Sequence, residues 1–188
     1  MRVSIGELRR LIREAPGGRR GFADQYFVSD IVPKLKQSGT IPSGIGQQIG
    51  YGFEAVVFTF GHDRVIRLHP TYEYDKNQAD ELYQRMKNAP SGGLFVEIYD
   101  VGKAEGYDKD RGENIVFAVY TIMERLTPLP HWAADIIDEA VTKKAIPAQL
   151  DVSTELTEFL QKYITMSIDQ DSRNVMKRGE QYVIIDPE

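Results

Sequence analysis

A chain of 188 residues with a formal net charge of −5 is long enough for one good core or two small lobes, and its composition is that of an ordinary soluble protein. It holds no cysteine, which excludes a disulfide framework, a thiolate nucleophile and a cysteine-based zinc site; its three histidines, His62, His69 and His131, make no metal-ligand spacing and are expected at the surface or at strand ends. No apolar run approaches the ~18 residues of a membrane span and the start lacks a secretory signal's apolar core, so a cytoplasmic protein with no membrane partner is expected.

Residues 4–14 open with Ser4 as an N-cap and Glu7 three residues later, a capping-box arrangement. Ile5, Leu8, Leu11 and Ile12 fall on one face, which predicts a short amphipathic helix. Up to Arg20 the chain carries six Arg against two Glu, a local +4 that leaves −9 on the remainder of the −5 total. This basic arm, residues 1–20, suits docking on the protein's own acidic body or on a partner; the acidic body argues against nucleic acid as that partner. Ala15-Pro16-Gly17-Gly18 reads as a hinge. From 22 to 37, Phe22, Tyr26, Phe27, Ile31 and Leu35 recur at helical spacing, which predicts one helix kinked or ended at Pro33. With a linker over Gly39–Gly46 it forms a helical extension, residues 21–45.

Ile49-Gly50-Tyr51-Gly52-Phe53-Glu54-Ala55-Val56-Val57-Phe58 reads as two strands around a glycine turn. Glycines there let backbone N–H groups approach a phosphate, although the same pattern is commonly only a tight turn. Arg64–Leu68 is a further strand. A helix over Asn77–Lys87 presents Ala79, Leu82, Tyr83 and Met86 as its apolar face, which puts Ala79 inward and Glu81 about 150° from the centre of that face. Gly92–Gly102 and Asn114–Leu126 read as two strands joined by a solvated, charged loop, Lys103–Glu113. Trp132, Ile136, Ile137 and Ala140 mark a short helix. Leu156, Phe159, Leu160 and Tyr163 mark a longer one entered near Asp151–Thr154, and both are expected to face a core.

The last stretch, Ser167–Glu188, sets Asp169, Asn174 and Asp186 around two short β-branched runs with a turn at Arg178-Gly179-Glu180. A hairpin returns the chain, so Asp186 should lie beside Asn174, and a carboxamide with carboxylates suits a hard cation such as Mg²⁺. A calcium loop is the rival reading, with Asp169, Asp171 and Glu180 at its first, third and twelfth positions; it needs Gly where Asn174 stands and an oxygen ligand where Arg173 stands. A third reading is a polar turn before an ordinary hairpin.

The ordered set of glycine loop, cationic strand, helix, strand end, two helices, Asp169-x₄-Asn174, hairpin and Asp186 resembles the protein-kinase-like fold over about Gly46–Asp186. The resemblance implies an α+β protein. Residues 46–126 would be a small antiparallel β-sheet N-lobe with one helix, and residues 127–188 a truncated, mainly helical C-lobe ending in a β-hairpin. It implies ATP and Mg²⁺ as cofactors. Asp169 would be the catalytic base, and Asn174 and Asp186 the metal ligands. Gly50 and Gly52 would cover the phosphates, Val57 the adenine, and Arg67 would stand where the family carries its phosphate-binding lysine. Met123 would sit behind the adenine, with the backbone of Glu124 to Leu126 along its edge.

Several positions depart from the family pattern. Arg67 is a planar cation in place of a lysine point charge, Ala79 stands where a partner glutamate is expected, and Glu73 or Asp75 would have to reach Arg67 instead. Asp171 replaces a lysine that steadies the transferring phosphate, Ser167-Ile168 replaces His-Arg, and the chain stops two residues past Asp186, so a substrate platform is expected to be missing. Two readings result. One is a minimal phosphotransferase, similar to short kinase-like proteins of some bacterial viruses and acting on a protein or small-molecule hydroxyl. The other is a catalytically inactive, pseudokinase-like binding or structural module that docks through the arm in a larger, viral-type assembly. A truncated lobe should leave apolar surface, so a protein partner or homo-oligomer is expected, which light scattering would test.

Overall fold

The computed structural model describes residues 25, 27–51, 55–71, 76–108, 112–147, 153–168 and 170–185. The helix expected over 4–14, the hinge at 15–18 and the positions Phe22, Tyr26, Gly52, Glu73, Asp75, Asp169 and Asp186 lie outside them. The chain is a mixed α+β protein that gathers into two compact units, one of residues up to Asn88 with Tyr99–Met123, the other of Ala89–Ile98 with the chain from Glu124 onward.

The first unit is built on a five-stranded antiparallel sheet in the order β1-β2-β3-β5-β4, with β1 Ile45–Tyr51, β2 Val56–Phe60, β3 Arg64–Pro70, β4 Ile98–Asp108 and β5 Glu113–Glu124. Strand alternation gives the sheet two apolar faces. On one, Val56, Phe58, Ile66, Leu68, Ala104, Ala118 and Ile122 bury against Phe27, Ile31, Val32 and Leu35, which lie on a π-turn, Phe27–Ile31, and helix α1, Val32–Ser38. On the other, Val116 and Val119 bury against Ala79, Leu82 and Met86 of α2, Lys76–Lys87, the face expected for that helix. Each large side chain fully removed from water contributes about 1.5–3 kcal/mol, so both layers matter to the unit.

Three boundaries differ from expectation, each for a local reason. Where one helix kinked or ended at Pro33 is expected, the π-turn Phe27–Ile31 runs directly into α1; Pro33 lies in the first turn of α1, and Gly39 closes the helix in the left-handed region at φ 71°. The presumed linker runs into β1 at Ile45, because Gly46 is a close-contact residue; a Cβ there would lie 2.4 Å from Thr59 Oγ1, the atom that accepts the Gln47 N–H at 3.0 Å. The charged stretch from Lys103 is strand, not loop. Lys103 and Glu105 alternate with Gly102, Ala104 and Gly106, small residues that make room for Tyr120 and Phe117 of β5, and Lys103 pairs with Asp80 of α2.

The second unit packs α3, His131–Lys143, and α4, Thr154–Tyr163, against a hairpin of β6, Val175–Arg178, and β7, Gln181–Ile184. Ser153 caps α4, accepting the Leu156 N–H at 3.3 Å. Ala133, Ile136, Ile137 and Ala140 of α3 meet Leu156, Phe159, Leu160 and Tyr163 of α4 and Val175, Tyr182 and Ile184 of the hairpin. Trp132, expected to face the core, is instead 52% exposed, and Ala133 takes the buried position. The hairpin register is Val175↔Ile184 to Arg178↔Gln181, and Gly179 with φ 58° opens the two-residue turn as a primed turn requires. Gly92–Glu97, expected as part of a strand beside Gly102, belongs here: Leu94 O accepts from Ile184 N at 2.8 Å and Val96 N donates to Ile184 O at 2.9 Å.

Arg178 ties the unit together. Its Nε donates to Glu124 Oε2 at 2.7 Å, Nη1 to Gly93 O at 3.1 Å, and Nη2 to Phe95 O at 3.1 Å and to Glu124 Oε1. Glu124 also accepts the Glu97 N–H at 2.7 Å, while its own N–H donates to Glu97 O at 3.0 Å. The two side chains are 30% and 11% exposed. Burial pushes the Glu124 carboxyl up, but the hydrogen bonds from Arg178 and Glu97 and the guanidinium charge outweigh it and hold the carboxyl below its ordinary 4.5. A depressed native value means that the unfolded chain binds the proton first. The stabilisation is therefore full above pH 4.5 and lost as pH falls through the native value. Arg178→Ala is expected to destabilise the protein by about 3 kcal/mol in denaturant unfolding, since it strands a largely buried carboxylate. Glu124→Gln should flatten the loss of stability below pH 4.5.

Candidate functional site

In the first unit three of the nucleotide-binding candidates, Gly50, Val57 and Arg67, fall on one line. Gly50 pairs with Val57 across β1 and β2, and Val57 pairs with Arg67 across β2 and β3, so a glycine, a valine and a guanidinium share one row. Since Val56, Phe58, Ile66 and Leu68 point to the α1 side, Val57 and Arg67 point to the α2 side. On β5, Ala118 and Ile122 point to the α1 side and Val119 to α2, so Thr121 and Met123 take the α2 side with Val57 and Arg67. Ala79 is buried and Glu81 exposed, as the helical spacing predicts.

The same face holds a residue that sequence reasoning passed over. His69, two residues after Arg67, is 2% exposed, whereas His62 and His131 are exposed as expected. Burial, then the charges of Arg67 and Arg85, drive its imidazole from 6.5 down to about 3. Among the described residues, His69 Nε2 and Thr121 Oγ1 are the buried side-chain polar atoms with no hydrogen-bond partner. The signal was its period-two spacing from Val65 and Arg67 on the covered face of β3.

In the second unit the end of the segment between α4 and β6, from Gln170 to Asn174, is held by hydrogen bonds. Asp171 caps a 3₁₀ turn, Ser172–Asn174, accepting the Arg173 N–H at 2.8 Å and pairing with the Arg173 guanidinium through Nε at 2.8 and 3.0 Å. These bonds hold the Asp171 carboxyl below its ordinary value. Its charge is committed to Arg173, so it neither confronts a polyphosphate alone nor stands ready for a metal. Glu180 is likewise paired, with Lys177 at 3.0 Å, and two of the three carboxylates of the calcium-loop reading are thereby engaged. Asn174 O accepts from Ile185 N at 2.8 Å, so the hairpin brings the residue before Asp186 onto Asn174. Asp169 and Asp186 themselves lie outside the described residues, as does Gly52. Among the described residues no three His, Cys, Asp or Glu side chains form a metal-sized group.

Met123 is buried near the end of β5. Glu124, expected along an adenine edge, commits its carboxylate to Arg178 and its N–H to Glu97 O, and Leu126 stands half-buried before Thr127, which bridges Lys177 through two backbone bonds of 2.8 and 2.9 Å. Sequence reasoning missed the Arg178–Glu124 pair, the Tyr163 hydroxyl and Asp138. Their partners lie 54, 8 and 34 positions away and leave no local pattern.

The lowered His69 value makes a pH test. The unfolded chain takes up a proton below 6.5 that the folded chain refuses, so stability is full above 6.5 and falls toward pH 3. The expected contribution is up to about 1.4 kcal/mol per pH unit. His69→Leu should remove that slope in unfolding measurements, and the native His69 ring proton resonances should stay unshifted from pH 8 to about pH 4.

No protein-family model matches the chain, and no curated protein matches it. Among solved structures it is similar to one titled as the crystal structure of monomeric WbdD, with a TM-score of 0.38 and 16% identity over 71% of this chain. The chain spans about a third, 32%, of that structure's length, and a likeness of this degree assigns neither a family nor an activity.

Proposed function

We propose that the chain is a kinase-like protein that binds ATP with Mg²⁺ and serves as a minimal phosphotransferase toward a protein or small-molecule hydroxyl. The observation that supports this reading best is the row Gly50–Val57–Arg67, with Met123 on the same face of the sheet. A glycine admits a phosphate close to backbone N–H groups, an apolar side chain covers a base, and a guanidinium holds phosphate oxygens. In this reading Gly52 would act with Gly50 on the phosphates.

Asp169 orients the acceptor hydroxyl, and Asn174 and Asp186 hold the cation. Their donor set, a carboxamide and carboxylates, is the hard-oxygen chemistry Mg²⁺ takes, and the bond from Ile185 N to Asn174 O brings the residue before Asp186 to Asn174. Bound Mg²⁺ supplies neutralisation of the phosphate charge; the rest of the work is positioning by the chain's own groups.

A second reading, a pseudokinase-like module docking through its basic arm, is favoured by Ala79 in the inward position of α2. The partners are a nucleotide in the first reading and, in either, a protein partner or second copy.

Isothermal titration of ATP with and without Mg²⁺ tests the proposal. The native chain is expected to bind more tightly with Mg²⁺, Asp186→Ala to lose that gain by tenfold or more, and Arg67→Ala to weaken binding under both conditions. No detectable binding by the native chain would reduce these residues to scaffold and move attention to the arm.

A further inference from the structure

We infer that Tyr163, Gln170 and Asp138 are positioning residues for the loop that carries Asp169, an inference that rests on the phosphotransferase reading. Tyr163 ends α4 and is fully buried, yet its hydroxyl reaches one residue of the loop from both sides: it accepts the Asp171 N–H at 2.9 Å and donates to Asp171 O at 3.0 Å. A phenylalanine would serve the core equally well, since the ring packs on Phe159 with centroids 5.0 Å apart. The hydroxyl therefore adds nothing to the apolar packing; burying it is favourable only because the loop backbone satisfies it.

Gln170, the residue directly after Asp169, turns its carboxamide back onto α4. Its Nε2 donates to Met166 O at 2.8 Å and to Tyr163 O at 2.5 Å, carbonyls at the end of the helix, while Lys144 Nζ donates to its Oε1 at 3.1 Å. Asp138 of α3 takes Ser172 by both its donors, N–H and O–H, each at 3.0 Å. On the other side of Asp169, Ile168 packs on the same core as α3 and α4. The segment then closes on itself, with Asn174 N donating to Asp171 O at 3.0 Å.

Three side chains from α3, α4 and the loop thus converge on positions 170–172, between the base and the metal-binding Asn174. This is what a site needs if its base and its metal ligand are to keep a fixed separation, because supporting hydrogen bonds hold such groups to within about 0.5 Å. A loop needed only to connect α4 with β6 could leave these backbone groups to water.

Tyr163→Phe and the pair Asp138→Ala and Asp138→Asn, in the full chain, test the inference with two readouts. Amide hydrogen exchange over 170–174 should accelerate tenfold or more in Tyr163→Phe and Asp138→Ala, and stay near native in Asp138→Asn, which keeps an acceptor for the Ser172 N–H. In the same two variants the Mg²⁺-dependent gain in ATP affinity should fall tenfold or more, while metal-free ATP affinity, set by Gly50, Val57 and Arg67, stays native. A Mg²⁺-dependent gain that persists in both variants would overturn the inference, whether or not exchange accelerates. If Tyr163→Phe fails to fold, the contrast between Asp138→Ala and Asp138→Asn decides alone. A native chain that shows no Mg²⁺-dependent gain would sink the phosphotransferase reading, and the positioning role with it, a result separate from any seen in the variants.

Discussion

One guanidinium holds the second unit in register. Arg178 closes the β6 strand, and its fork bonds Glu124, Gly93 and Phe95, so the segment after α2, the end of β5 and the hairpin are fastened at a single point. A planar, always charged fork can satisfy a carboxylate and two carbonyls at once, which a lysine ammonium in the same place would do with poorer geometry. The burial of Glu124 makes the pair demanding. Either partner alone would be a desolvated charge, and together they leave few buried polar groups of that corner without a bond. The backbone bonds around it, between Leu94, Val96 and Ile184 and between Thr127 and Lys177, depend on the same alignment.

The first unit is organised by a different constraint, the two-sidedness of its sheet. One face is closed by the π-turn and α1 through Phe27, Ile31, Val32 and Leu35, and the other is shared between α2 and a row of residues of mixed chemistry. Val57, Arg67, His69, Thr121 and Met123 stand on that second face. Two of them carry buried polar atoms without partners among the described residues, a departure from the near-complete satisfaction that folded proteins show. A face built for packing alone would carry apolar side chains at those positions. Of this row, the proposed function uses Val57, Arg67 and Met123.

The loop between α4 and β6 joins stability to the proposed chemistry. Asp171, Ser172 and Gln170 are each bonded within the segment or to α3 and α4, which turns a polar run into a defined backbone without a long apolar side chain at any of these positions. The commitment of Asp171 to Arg173 also resolves its charge locally. The carboxylate that stands where the family pattern has a lysine is half of an ion pair.

By itself the sequence determined the elements whose periodicity is strong: α2 with its Ala79, Leu82 and Met86 face, α4 with Leu156, Phe159, Leu160 and Tyr163, the strands around Gly50 and Val57, and the hairpin turned at Gly179. Each is set by spacing along a few residues, so local pattern suffices. The tertiary structure decided what depends on distant partners. Lys103–Asp108 became strand because small inward residues meet Tyr120 and Phe117, Gly92–Glu97 left the sheet for the hairpin, Pro33 fell in the first turn of α1, and Trp132 faced outward. Among the residues of the proposed site, Val57, Arg67 and Asn174 were named from motif order. His69, Tyr163, Asp138 and the Arg178–Glu124 pair were not, because a side chain's role in hydrogen bonding and burial is set by groups brought to it from elsewhere in the chain, and no window of neighbouring residues contains them.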